Sequence, residues 1–87
     1  MAESTSAILR RRQVEAQSGL ARSTIYLRIS QGLFVKPVRL GLRARGWPAN
    51  EVAALNLARI AGKSDDEIRA LVAQLESART STLEEVG

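Results

Sequence analysis

The stretch "SGLARSTIY", Ser18 to Tyr26, decides how this chain is read. A glycine stands between two short patterned runs, and Arg22, Ser23, Thr24 and Tyr26 then crowd into about one helical turn. Upstream of the glycine, Arg12 to Ser18 reads as a short helix with Val14 turned inward. Gly19 can take the left-handed conformation that closes a helix. Downstream, Arg22 to Gln31 reads as a second helix, stopped at Gly32. Ile25 and Ile29, four residues apart, share its inner face. Ser23, Thr24, Leu27 and Gln31 then point outward, with Arg22, Tyr26 and Arg28 flanking them.

Working outward, Ile8-Leu9 is a short apolar pair suited to an edge strand. Leu33 to Trp47 changes character, with Phe34, Val35, Val38, Leu40 and Leu42 punctuated by Pro37, Gly41 and Gly46. That pattern predicts two strands joined by a turn around Gly41-Leu42-Arg43. Pro48 suits the first turn of a third helix. Val52, Ala53, Ala54, Leu55, Leu57, Ala58, Ile60 and Ala61 leave that helix few polar positions, which predicts packing on more than one side. Gly62 ends it. Ser64-Asp65-Asp66-Glu67 has capping-box spacing, with acids at the positive end of the helix dipole. Ile68, Leu71, Val72 and Leu75 follow as the apolar stripe of a fourth helix ending near Arg79. The stripe covers the domain's own core or forms a seam between two copies, and the seam is preferred. Thr80 to Gly87 has no pattern.

Two short helices joined through a glycine turn, followed by a hairpin, describe a winged helix-turn-helix. The fold class is mainly α, with a small β-hairpin wing and an additional C-terminal helix. The expected division is a polar, flexible tail at 1–7, the winged domain at 8–62, an oligomerisation helix at 63–79 and a flexible tail at 80–87.

Composition narrows the function. The chain has 87 residues with no cysteine and no histidine, which excludes disulfides, thiolate zinc sites, imidazole metal sites and histidine-based triads. No Asp/Glu pair sits among apolar residues that would perturb it. No catalytic residue, metal ligand or cofactor is expected, and no enzyme. No apolar run approaches the roughly 20 residues needed to span a bilayer. Met1 to Ser6 lacks the basic-then-apolar order of a signal peptide, so a cytoplasmic location is expected.

Charge divides the chain. Residues 1–47 hold nine basic against two acidic residues, and residues 48–87 hold four against seven, giving +7 and −3 within the total of +4. A basic N-terminal half fits a face that meets a polyanion or, equally on charge alone, a solvated surface that happens to be basic. In a helix-turn-helix the second helix enters the major groove with its first residues toward the base edges. That gathers hydrogen-bonding side chains where "SGLARSTIY" has them. Arg22, Ser23 and Thr24 can reach phosphates and bases, Tyr26 can donate to a phosphate, and Arg28 is a second basic contact. Leu27 either meets a thymine methyl or packs under the wing. Lys36, Arg39, Arg43 and Arg45 ride on the wing toward the DNA backbone or minor groove. Trp47 reads as a core plug between wing and third helix, and Arg10-Arg11-Arg12 as a solvated run more than a phosphate clamp.

The run "SGLARSTIYLRISQGLFVKPVRLGLRARGW" resembles the AlpA family of small phage and prophage regulators. Its members show "TGLSRSTIY", a "G-x-F-P-K-P" approach to the wing, and "R-x-x-G-W" leading into a helix that begins near "S/N-E-V". The matching residues are Gly19, Leu20, Arg22 to Tyr26, Gly32, Phe34, Lys36, Pro37, Gly41, Arg43, Gly46, Trp47, Glu51 and Val52, and the likeness spans Ile8 to about Ala61. Three positions depart from it: Ala21 replaces a capping Ser, Leu27 replaces an Arg that here stands at 28, and Val35 replaces the first proline of the wing approach. Losing such a cap costs about 1 kcal/mol of helix stability. The resemblance implies a MerR-like winged helix, encoded by a bacterium or phage, that regulates transcription or serves as an excisionase. The implied partners are double-stranded DNA, a second copy of the chain, and an integrase or RNA polymerase. Two other readings stay open: a protein-interaction module with a basic face, and the DNA-recruiting domain of a phage packaging subunit.

Overall fold

The structure, a computed structural model, describes the backbone of residues 7–86 and side chains through Thr80. Of the tail expected at 1–7, all but Ala7 lies outside the described residues. In chain order the elements are β1 (Ile8–Leu9), α1 (Arg11–Ser18), α2 (Arg22–Ser30), β2 (Val38–Arg39), β3 (Arg45–Pro48), α3 (Ala49–Ile60) and α4 (Asp65–Val86). The strands form one antiparallel sheet in the order β1-β3-β2. Ile8 pairs with Pro48 and Leu9 with Trp47, while Val38 pairs with Gly46 and Arg39 with Arg45. This is the predicted winged helix-turn-helix with an extra C-terminal helix, β1 lying at the sheet edge.

Local chemistry accounts for the turn between α1 and α2. Gly19 adopts φ 73° and its N–H donates to the Glu15 carbonyl, closing α1. The Ser18 hydroxyl donates to the Val14 carbonyl at 2.7 Å and accepts from the Leu20 N–H at 3.2 Å, which tightens the corner. Ala21 then stands at the N-cap of α2 in an extended conformation with no side-chain cap. The wing closes through the Leu40 N–H, which donates to the Ala44 carbonyl at 2.8 Å. Gly46, in the central strand, has no room for a side chain: a Cβ would run into Ile8 and stand 3.0 Å from the Leu9 carbonyl.

The core sits where sheet and helices meet. Val14, Ile25, Val35, Trp47, Val52 and Ile68 are fully buried, joined by Leu9, Leu33, Phe34, Leu55 and Val72. Trp47 is the plug that the sequence suggests, and its indole N–H donates to the Val35 carbonyl at 3.0 Å, so its polar atom is satisfied inside the core.

Three expectations are corrected. The stripe of α4 is no free seam, because Ile68 and Val72 are buried in the chain's own core and Leu71 and Leu75 pack against it. The helix is held there by polar contacts spread from its first turns past its middle. The Arg69 guanidinium donates to the Gln31 carbonyl at 2.9 Å, the Glu76 carboxylate accepts from the Lys36 N–H at 2.9 Å, and Arg79 reaches Glu51. Second, α3 buries one face only, with Glu51, Val52 and Leu55 inward, while Leu57 and Ile60 are 66% and 80% exposed. Its alanines made the pattern look apolar all round, yet alanine favours helix wherever it stands and tolerates solvent. Third, the backbone of α4 stays helical to Val86, past the end expected at Arg79. No glycine or proline occurs between Lys63 and Val86 to stop it.

Candidate nucleic-acid interface

The first turn of α2 is open to solvent. Arg22 and Ser23 are exposed and Thr24 is half-buried. Leu27 is 56% exposed. Tyr26 has two faces. Its ring meets Trp47 edge-on, with centroids 6.3 Å apart at 68°, and it is still 40% exposed. The packing and contact roles weighed for it are therefore compatible.

Tyr26 and Arg45 stand between two surface concavities. One is shared with Arg10, Arg11, Arg12, Arg43 and Trp47. The other is shared with Ile29, Lys36, Pro37 and Arg39. The structure thus brings α2, the wing and the start of α1 onto one basic surface. Arg28 lies apart from it. Two residues along a helix is about 200° of rotation from Tyr26, and Arg28 lines a separate groove with Leu20, Leu33, Phe34, Leu55 and Ile60, near Arg59.

The ion pairs show which charges are already answered. Among the described residues they are Arg11–Glu15, Lys36–Glu76 at 3.9 Å, Arg59–Asp65 at 3.4 Å, Arg69–Asp66 at 3.2 Å and Arg79–Glu51 at 2.6 Å. Arg10, Arg12, Arg22, Arg28, Arg39, Arg43 and Arg45 have no acidic partner among them. Arg39 and Arg45 are moreover directly opposite each other in the β2–β3 ladder. Like charges at such positions destabilise a sheet in isolation, and an anion laid across the wing would relieve them.

Sequence reasoning missed two features. Arg10 donates from its Nε to the Arg45 carbonyl at 3.1 Å, tying the start of α1 to the wing across 35 positions. Glu51 is only 4% exposed and is gripped by both arms of Arg79, at 2.9 Å to Oε2 and 2.6 Å to Oε1. Its position four residues before Leu55, on the inner face of α3, was the available signal. Arg79 also donates to the Lys36 carbonyl at 2.7 Å. The hydrogen bonds that Arg79 donates to Glu51 raise the guanidinium pKa above its ordinary value, against the opposing effect of burial. At the start of α4, Glu67 accepts from the Ser64 N–H at 2.9 Å and donates its own N–H to the Ser64 hydroxyl at 3.2 Å. The hydrogen bonds from Ser64, reinforced by the nearby Lys63 charge, hold the Glu67 carboxyl below its usual range.

Among the described residues there is no group of three or more His, Cys, Asp or Glu placed to hold a metal. No helix is long and apolar enough to cross a membrane. No curated protein and no solved structure gives a significant match. The family model described as "Prophage CP4-57 regulatory protein (AlpA)" matches residues 7–54, more than half the chain, and takes in β1, the helix-turn-helix, the wing and the first half of α3. The chain belongs to the AlpA family of prophage regulatory proteins.

Proposed function

We propose that the chain is a sequence-specific double-stranded DNA-binding protein of a mobile genetic element, acting as a transcriptional regulator or an excisionase. The observation that carries this reading is the array of arginines without acidic partners on α2, the wing and the start of α1. In it, α2 lies in the major groove, where Arg22, Ser23 and Thr24 meet base edges or nearby phosphates and Leu27 offers an apolar contact to a thymine methyl. Arg39, Arg43, Arg45 and Lys36 carry the wing along the backbone, and Tyr26 donates to a phosphate from the cleft between the two elements. Arg28, on the far flank of α2, contributes to the field more than to the contact. No catalysis and no cofactor enter this mechanism.

A protein partner also has a surface to use. The stripe of α4 is occupied, but the outer face of α3 presents Leu57 and Ile60 to solvent, so a second copy, an integrase or RNA polymerase would meet the chain there. A solution that stays monomeric both free and on DNA would rule out the second copy.

The test of DNA binding is a salt titration with specific and random duplexes. Affinity should fall by orders of magnitude over a few-fold rise in salt as counterions are released. Arg43→Ala should weaken both duplexes together. Arg22→Ala should narrow the gap between them, by about 1–3 kcal/mol for a bidentate base contact. No duplex binding at low salt would sink the reading in favour of an interaction module.

A further inference from the structure

We infer that the start of α1 forms, with the wing, a dedicated seat for a backbone phosphate, so that the protein grips duplex DNA at a third place beside α2 and the wing edge. The inference rests on the DNA-binding reading above and extends it to Arg10 and Arg12, which the sequence alone presents as a solvated run.

The seat is a concavity of about 330 Å³. Its basic lining comes from two segments far apart in the chain, Arg10 to Arg12 and Arg43 with Arg45, and the aromatic wall is Tyr26 and Trp47. The pairing of β1 with β3 brings those segments together, and the Arg10 guanidinium fixes them by donating to the Arg45 carbonyl. Only Arg11 has an acidic partner, Glu15 one turn further along α1. Arg10, Arg12, Arg43 and Arg45 therefore crowd one concavity with no carboxylate among the described residues to answer them. Such crowding is costly in the free protein and is relieved by an anion. The first turn of α1 carries no acidic residue, so the positive end of its dipole is also unanswered. Guanidinium groups lining one concavity suit phosphate oxygens, which they hold through paired N–H donors. The concavity adjoins Tyr26 of α2, so a duplex engaged by α2 runs its backbone past the opening.

Arg12 is the residue to test, because it is exposed and makes no hydrogen bond or ion pair among the described residues, so alanine should leave the fold intact. A thermal melt of the variant verifies this. With random duplex, Arg12→Ala should reduce the slope of log K against log salt by about 0.9, the value of one lost phosphate contact. That corresponds to about eightfold weaker binding at 0.1 M salt, vanishing toward 1 M. The loss should be equal on specific and random duplex, and Lys63→Ala, on the turn between α3 and α4, should leave the slope unchanged. An unchanged slope in Arg12→Ala while Arg43→Ala weakens binding overturns the seat and leaves the DNA reading standing. Equal losses from Arg12→Ala and Lys63→Ala overturn it as well, since net charge alone would then be at work. Saturable binding of pyrophosphate that Arg12→Ala abolishes, with duplex affinity intact, would assign the concavity to a free anion instead. A wild-type chain that binds no duplex fails at the earlier step.

Discussion

Replacing Arg79 with Met should unlatch α4 from α3, and the size of the effect follows from the geometry. Glu51 is nearly fully buried, and Arg79 is its ion-pair partner among the described residues, bidentate at 2.6 and 2.9 Å. Removing one member of a buried pair costs about 3–5 kcal/mol, because the other is left charged without compensation. The variant can limit this loss by protonating the stranded carboxyl. An ordinary glutamate titrates near 4.3, so holding a proton at pH 7 costs about 3.7 kcal/mol, from about 2.7 pH units at 1.36 kcal/mol each. The Arg79 side chain is 24% exposed, so water reaches its end of the pair and the lower part of the range applies, about 3 kcal/mol. In a domain of this length that lowers the melting temperature by about 12–24 °C.

The pH dependence distinguishes this cause from lost packing. In Arg79→Met, once the pH falls far enough for the stranded carboxyl to take up a proton that the unfolded state lacks, the unfolding free energy rises as pH falls further, by up to about 1.4 kcal/mol per unit. The two stability curves should converge between about pH 7 and 4.3. Adding Glu51→Met to Arg79→Met should recover most of the loss, since apolar replacements of a buried pair are close to neutral. Urea unfolding at several pH values measures all of this. A single variant less than about 1 kcal/mol weaker than wild type at pH 7, with no convergence in acid, would show that the pair is not buried as described.

Ala21→Ser should raise stability by about 0.5–2 kcal/mol by capping α2, and an unchanged or lower urea midpoint would mean that the new hydroxyl finds no free N–H there. Gly46→Ala should lower it by about 1–3 kcal/mol, as overpacking does, because the new methyl meets Ile8 and the Leu9 carbonyl; a neutral result would show that β1 yields easily. Glu at both Leu71 and Leu75 should destabilise the fold, since both pack on the core, and a stable monomer released from a wild-type dimer by that change would restore the seam reading.

The parts of the fold legible in the sequence are those whose signals are local. Gly19 and the spacing of Ile25 and Ile29 set out the helix-turn-helix within a dozen residues, and the glycines and proline of 32–46 marked the wing. The α4 stripe was legible as a stripe but not as to its destination, because i, i+3, i+4, i+7 looks the same facing the chain's own core or a second copy. Only the anchors at Arg69, Glu76 and Arg79 direct it inward, and each meets a group about 28 to 43 positions away. For the same reason Arg10 to Arg12 read as solvated. Their relation to Arg43 and Arg45 exists only once β1 has paired with β3.

The family match ends at residue 54, yet the fold that positions the basic surface does not end there. Glu51 lies inside the match and its partner Arg79 lies outside it. Lys36, at the root of the wing, is held from both sides by α4: Glu76 accepts its N–H and Arg79 donates to its carbonyl. Two bonds on one residue, two positions before β2 begins, fix the angle at which the wing leaves the core. The two halves of the charge distribution then have separate work. Of the five acids of α3 and α4 whose side chains are described, three answer basic groups on those same helices, Arg59, Arg69 and Arg79, so among the described residues these acids do little to quench the arginines of residues 10–45. Glu76 is the exception, and its long contact to Lys36 is secondary to the backbone bond that it makes there. The C-terminal helix thus braces the wing while leaving Arg39, Arg43 and Arg45 without acidic partners among the described residues, and a chain cut after Ile60 would lose both Ile68 from the core and the brace from the wing.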